Sequence, residues 1–153
     1  MKAVILAGGL GTRLAPYTTV LPKPLMPVGD RPILDIVIRQ LRHYGFDEIT
    51  LAVGHLAELL MAYFGDGSKL GVRIRYSREE TPLGTAGPIG LVAGLDEPFL
   101  VMNGDVLTTL DFAAMMAEHR LSGAAATVGA FRRSVKIDLG VIEFDERRQL
   151  TQY

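Results

Sequence analysis

Met1-Lys2-Ala3-Val4-Ile5-Leu6-Ala7-Gly8-Gly9-Leu10-Gly11-Thr12-Arg13 opens the chain, and the rest is read outward from it. Residues 2–7 are a continuous apolar run of strand length, the pattern of a strand covered on both faces. The run stops at a glycine cluster that ends in a cation. Glycines let successive backbone N–H groups approach an anion without Cβ obstruction, and Arg13 adds a fixed positive charge. A buried strand feeding an anion-binding turn predicts an α/β domain with its site beyond the strand's carboxyl end.

Alternation continues down the chain. The period predicts a helix over 33–44, with Leu34, Val37, Ile38, Leu41 and Tyr44 on one face. Asp30 and Pro32 are its start signals and Gly45 its stop. Strands are predicted over 48–53, 72–76, 99–102 and 124–131. Helices are predicted over 56–64, 86–94 and 111–121, the last capped by Asp111. Val72-Arg73-Ile74-Arg75-Tyr76 alternates apolar and basic, which marks a wet face or an edge. Residues 140–144 and 149–153 read as a hairpin turning through Asp145-Glu146-Arg147. Strands alternating with helices imply βαβ units and a mostly parallel sheet. Ligands then bind beyond strand ends, which selects the segments after Ala7, Tyr76 and Met102.

Composition narrows the function classes. A chain of 153 residues suits one domain, and its net charge of −1 argues against a dedicated nucleic-acid binder. The absence of cysteine excludes disulfides and Cys-based zinc or iron–sulfur sites, and fits a reducing compartment. The first apolar run is too short for a secretory signal and no window is apolar enough for a membrane span, so the expected home is the cytoplasm, with no membrane partner. His43, His55 and His119 have no ligand spacing. Met61, Met115 and Met116 fall on helical faces as packing or interface residues. Arg132-Arg133 and Arg147-Arg148 are most simply solvated turns.

The glycine loop fits neither common phosphate motif. G-x-G-x-x-G counted from Gly9 needs glycine where Leu14 stands, and no Gly-Lys-Ser/Thr follows. Residues 15–28 come next, with Pro16, Pro22, Pro24 and Pro27, too proline-rich for a helix. Lys23 sits between two prolines. It is either an ammonium held in place by a stiff backbone or a solvated lysine on a rigid surface crossing.

Leu6-Ala7-Gly8-Gly9-Leu10-Gly11-Thr12-Arg13-Leu14 and Leu21-Pro22-Lys23-Pro24-Leu25-Met26-Pro27-Val28 together resemble the sugar-1-phosphate nucleotidyltransferases, the sugar-nucleotide pyrophosphorylases. Thr81-Pro82-Leu83-Gly84-Thr85-Ala86-Gly87 resembles that family's base-reading loop. Met102-Asn103-Gly104-Asp105 resembles its metal-binding strand end, and Leu139-Gly140-Val141-Ile142-Glu143-Phe144-Asp145 the start of its sugar side. The resemblance runs from residue 1 to 153.

That resemblance implies a Rossmann-like three-layer sandwich of the GT-A-like nucleotidyltransferase type. It implies transfer of a nucleoside monophosphate from an NTP to a sugar 1-phosphate, giving an NDP-sugar and pyrophosphate. Leu6, Ala7, Gly8, Gly9, Gly11, Thr12 and Arg13 would hold the nucleotide's phosphates. Pro82, Leu83, Gly84 and Thr85 would read the base. Arg13 and Lys23 would act on the reacting phosphates, Asp105 would bind Mg²⁺, and Asn103 and Gly140 would meet the sugar. The wording of the base loop is closer to the mannose-1-phosphate guanylyltransferase branch, which favours GTP weakly.

Each feature also has a plainer reading. The first loop would be a strand–helix turn, the base loop a tight turn before a helix, and Asp105 an Asx turn. Glu79 and Glu80 are more often solvated charges, and Lys136 and Asp138 stand near the sugar-side glycine without a fixed role. The family's Glu-Lys-Pro-type sugar contact and second metal-binding aspartate have no counterpart in the chain. Residues 1–153 are therefore expected to be the nucleotide-binding N-terminal portion of such a domain, truncated before the sugar-binding part; a natural short version is the alternative. A non-catalytic nucleotide-binding regulatory or assembly subunit on the same fold is the competing function, and a homo-oligomer is compatible with either.

Overall fold

A computed structural model describes residues 1–79, 81, 83–135, 140 and 142–152. Glu80, Pro82, Lys136, Ile137, Asp138, Leu139, Val141 and Tyr153 lie outside the described residues, and with them the expectations placed on Glu80, Pro82, Lys136 and Asp138. The chain runs β1 (Lys2–Leu6), β2 (Pro27–Val28), β3 (Arg31–Pro32), α1 (Ile33–His43), β4 (Glu48–Val53), α2 (Ala57–Phe64), β5 (Arg73–Arg78), β6 (Leu100–Asn103), α3 (Phe112–Ser122), β7 (Glu143–Phe144) and β8 (Leu150–Gln152).

Four strands form one sheet in the order β5-β4-β1-β6, and every pairing in it is parallel. β1 lies inside the sheet, and consecutive Ala3, Val4 and Ile5 are all buried, so both of its faces are covered, as its unbroken apolar run requires. β5 is an edge strand, with Ile74 buried and Arg73 and Arg75 exposed, which accounts for its alternation. The mostly parallel α/β class expected from the sequence is the class observed. Among the described residues, no helix is long and apolar enough to cross a membrane.

The apolar face of α1 makes the centre of the core. Leu34, Val37, Ile38 and Leu41 have no exposed surface and share one cluster with Ile5, Leu51 and Val53 of the sheet and Leu60 of α2. Gly45 ends α1 at φ 83°. Its N–H donates to the Arg42 carbonyl and that of Phe46 to the Leu41 carbonyl, a Schellman closure that delivers the Phe46 ring to the core. The Asp30 start signal fails. Gly29-Asp30 is the turn of the small β2–β3 ribbon, and α1 begins after Pro32 with no side-chain cap. Its first-turn carboxylate is Asp35, which is buried and bonded to Arg39 Nε at 2.6 Å.

Two other expectations change. Residues 86–94 form only a 3-10 turn, Gly87–Leu91, because Pro88, Gly87 and Gly90 remove helical propensity. Residues 124–131 form no strand: Val128 and Phe131 are 83% and 84% exposed, and no described strand lies beside them to complete a ladder. The final hairpin is present among the described residues, β7 against β8, with the Asp145 carboxylate accepting from the N–H groups of Arg147 and Gln149.

Asp111 caps α3 as expected, its Oδ1 accepting from Ala114 N–H at 2.8 Å. Asp111→Ala should cost about 1 kcal/mol, read as a melting temperature lower by roughly 2–4 °C. An unchanged melt would show that the cap contributes nothing.

Candidate active site

The strand order puts β4 on one side of β1 and β6 on the other, so the crossover direction reverses at β1. A reversal opens a crevice at the carboxyl ends of the strands, where neighbouring loops diverge. A cleft of about 1240 Å³ lies there. The strand ends that frame it are tied by backbone bonds. Ala7 N–H donates to Ala52 O at 2.8 Å, Gly104 N–H to Leu6 O at 3.0 Å, and Glu79 N–H to Val53 O at 3.1 Å.

Residues Leu6 to Leu14 line one wall. Gly8 is pressed against the neighbouring strand end: a Cβ there would lie 2.7 Å from Glu79 Oε1 and 3.2 Å from Gly54 N. Gly11 has φ 63°, a left-handed conformation that disfavours a side chain, and its carbonyl accepts from Leu14 N–H and the Thr18 hydroxyl. This turn launches a 3-10 helix, Thr12–Leu14, that carries Arg13. Arg13 lines the cleft, is exposed, and forms no ion pair among the described residues. The wall thus combines a glycine-rich backbone and one guanidinium with the exposed side chains of Leu10 and Leu14, and the first two suit an anion with several oxygens.

The proline-rich stretch is a series of tight turns. Pro24 is buried within a 3-10 turn, Lys23–Leu25, and this turn brings Lys23 to the cleft. Lys23 is therefore not a freely solvated lysine: its Nζ forms an ion pair with the carboxylate of Asp105. Asp105 stands at the end of β6 behind Gly104 and Asn103, all three lining the same cleft.

The opposite wall comes from β4 and β5. Gly84 and Thr85 line it, and Leu83 donates its N–H to Glu79 Oε2 at 3.3 Å. Glu79 is thus more than a solvated charge, for its carboxylate ties the turn containing Leu83 and packs against Gly8 and Gly54. His55, Arg78 and Thr81 also line the cleft. The strand-end rule applied to Val53 would have found His55, because β4 ends on the same edge as β1. Gly140 is exposed and is not among the residues lining the cleft, so the structure does not bring it to the other site residues.

The metal expected at Asp105 can be judged on the donor set. No group of three His, Cys, Asp or Glu that could hold a metal occurs among the described residues. The donor at the end of β6 is one hard carboxylate, Asp105, and Mg²⁺ binds elsewhere through one or two carboxylates while substrate phosphates and water fill the remaining positions.

Comparison with known proteins agrees with this geometry. Over 155 aligned positions the chain is 37% identical to mannose-1-phosphate guanylyltransferase of Mycobacterium tuberculosis, a match that covers 100% of the chain and 43% of that protein. It is 40% identical over 141 positions to UTP–glucose-1-phosphate uridylyltransferase of Synechocystis sp., covering 84% of the chain and 36% of that protein. Among solved structures, HddC from Yersinia pseudotuberculosis complexed with GMP-PN superimposes with a TM-score of 0.68 at 30% identity, over 77% of the chain and 53% of HddC. The chain spans about two fifths of the length of these curated relatives. Residues 2–153 match the family described as nucleotidyl transferase. The chain belongs to the nucleotidyl transferase family.

Proposed function

We propose that the chain is the nucleotide-binding portion of an enzyme that transfers a nucleoside monophosphate from an NTP to a sugar 1-phosphate. The observation that carries this reading is the convergence of the Gly8–Gly11 amides, Arg13, Lys23 and Asp105 on one cleft. An anionic oxygen of the sugar phosphate attacks the α-phosphorus, and the bond from that phosphorus to the α,β-bridging oxygen breaks. Pyrophosphate leaves with the electron pair. The nucleophile already carries its charge, so no general base is required; the work is alignment and neutralisation.

Roles follow from position. Gly8, Gly9, Gly11 and Thr12 offer N–H groups to the triphosphate. Arg13 lies with them and neutralises the charge that grows on the leaving pyrophosphate. Lys23, whose Cβ stands 3.5 Å from where a Gly11 Cβ would be, approaches the reacting phosphates beside Asp105. Asp105 is the carboxylate that would hold Mg²⁺. When bound with nucleotide, that ion supplies charge neutralisation of the phosphates. Asn103, beside Asp105, borders the space left for the sugar phosphate.

GTP is the nucleotide we favour, and the support is Glu79. Its carboxylate accepts only, and has lone pairs to spare beyond the one given to Leu83 N–H. Guanine offers two adjacent donors, N1–H and the 2-amino group, where uracil and thymine offer a single N3–H between two carbonyls. Glu79→Gln should lower the preference for GTP over UTP by about tenfold, measured as the ratio of nucleotide affinities by calorimetry. An unaltered ratio removes Glu79 from base selection.

A further inference from the structure

Lys23 and Asp105 reach each other from two elements with little freedom. Lys23 follows Pro22, whose backbone is extended at φ −65° and ψ 142°, and precedes the buried Pro24. The turn is closed by Leu25 N–H on Pro22 O at 2.8 Å and Met26 N–H on Lys23 O at 3.0 Å. Asp105 follows Gly104, whose N–H is bonded to Leu6 O and whose Cα has Ile5 behind it: a Cβ there would sit 3.2 Å from Ile5 Cγ2. The side chains of Lys23 and Asp105 are 40% and 27% exposed. Fixed backbones at both ends distinguish this pair from a mobile surface ion pair, whose side chains must be ordered at entropic cost.

The two groups are also those assigned above to a phosphate and to a divalent cation. They cannot serve each other and their ligands in full at once. A carboxylate neutralised by an ammonium offers less charge to a dication, and the ammonium repels a second cation beside it. A phosphate arriving at the Gly8–Arg13 wall gives Lys23 a competing anion. Lys23 moving to that phosphate leaves Asp105 bare.

We propose that the Lys23–Asp105 ion pair is a latch on the metal-ligand carboxylate, released by the nucleotide's phosphates, so that nucleotide and divalent cation bind with positive coupling. Lys23 is then a positioning residue for Asp105 as well as a phosphate contact. The proposal rests on the transferase reading of the cleft. Linkage makes the coupling reciprocal: nucleotide strengthens cation binding by the same factor as the cation strengthens nucleotide binding.

Mn²⁺ binding followed by water-proton relaxation tests it without turnover, first on the protein alone and then with GTP and no acceptor sugar. Lys23→Met should bind Mn²⁺ about tenfold more tightly than the unaltered protein when no nucleotide is present. Lys23→Arg, which keeps the charge, should leave Mn²⁺ binding weak. Adding Asp105→Asn to Lys23→Met should abolish the gain. Thermal melts of these variants verify folding, and the contrast between Lys23→Met and Lys23→Arg separates charge from packing. With GTP bound the advantage of Lys23→Met should vanish, because the phosphates have already drawn Lys23 away. Equal Mn²⁺ affinity in Lys23→Met and the unaltered protein without nucleotide overturns the latch and leaves the transferase reading standing. A gain that survives Asp105→Asn overturns both the latch and the cation role given to Asp105.

Discussion

Arg13→Ala should lower the rate of nucleotidyl transfer by about 10³, with the fold unchanged. Arg13 is exposed at the cleft wall and makes no ion pair among the described residues, so its removal disturbs no core contact. What it removes is a fixed cation beside the loop amides, in the place where negative charge accumulates as pyrophosphate departs. A group that acts mainly on the transition state lowers turnover more than nucleotide affinity. Arg13→Lys should recover only part of the loss, because an ammonium lacks the planar fork that meets two phosphate oxygens. Steady-state pyrophosphate release, with circular dichroism as the check on folding, measures this. A loss below tenfold would mean that Arg13 is peripheral to the reaction.

Gly11→Val should harm both stability and binding. At φ 63° a β-branched residue meets its own carbonyl, at a cost of roughly 1–2 kcal/mol. The new Cβ would also lie 2.8 Å from Thr18 Cγ2, and Thr18 is only 4% exposed, so it has nowhere to retreat. Overpacking of that kind adds roughly 1–3 kcal/mol. The melting temperature should fall by roughly 5–15 °C. GTP affinity should fall by at least about tenfold, because the loop amides no longer point at one anion. Gly29→Val is the control. Gly29 has φ 67° but a Cβ there meets nothing within 4 Å. It should show the strain in a melt without the loss of GTP affinity. Equal GTP binding by Gly11→Val and the unaltered protein would mean that the loop is not the phosphate cradle.

The parts of this molecule legible in the sequence are those set by neighbouring residues. The run from Lys2 to Ala7 is apolar at every step after the first residue, and only a strand covered on both faces needs that. The stripe Leu34, Val37, Ile38 and Leu41 followed by Gly45 gives a helix and its end without reference to anything distant. The turn at Gly8–Arg13 declares an anion by composition alone. What failed depended on partners far along the chain. Residues 124–131 carry only Thr127, Val128 and Phe131 as strand formers among four alanines and a glycine, and with no described strand beside them a ladder cannot form from one side. Asp30 looks like a cap only until Gly29-Asp30 is seen to turn the β2–β3 ribbon.

The same division holds in the cleft. Arg13, Lys23, Asp105 and the glycines are visible as short motifs. Glu79 and His55 reach the site because β4 lies beside β1 and β5 beside β4 in the sheet, and no local pattern fixes that order. The contact between Lys23 and Asp105 arises from the parallel placement of β1 and β6, which carries the first loop and the β6 end to the same edge.

Pyrophosphate release with Mg²⁺ tests the central claim most directly. The gene would be expressed to its natural stop codon and supplied with GTP, UTP, dTTP, CTP or ATP together with mannose or glucose 1-phosphate. The expected result is release that needs the sugar phosphate, is fastest with GTP, and falls by about 10³ in Arg13→Ala. Binding of nucleotide with no release from any pair would contradict the account, and would make the chain a non-catalytic nucleotide-binding subunit on a transferase fold.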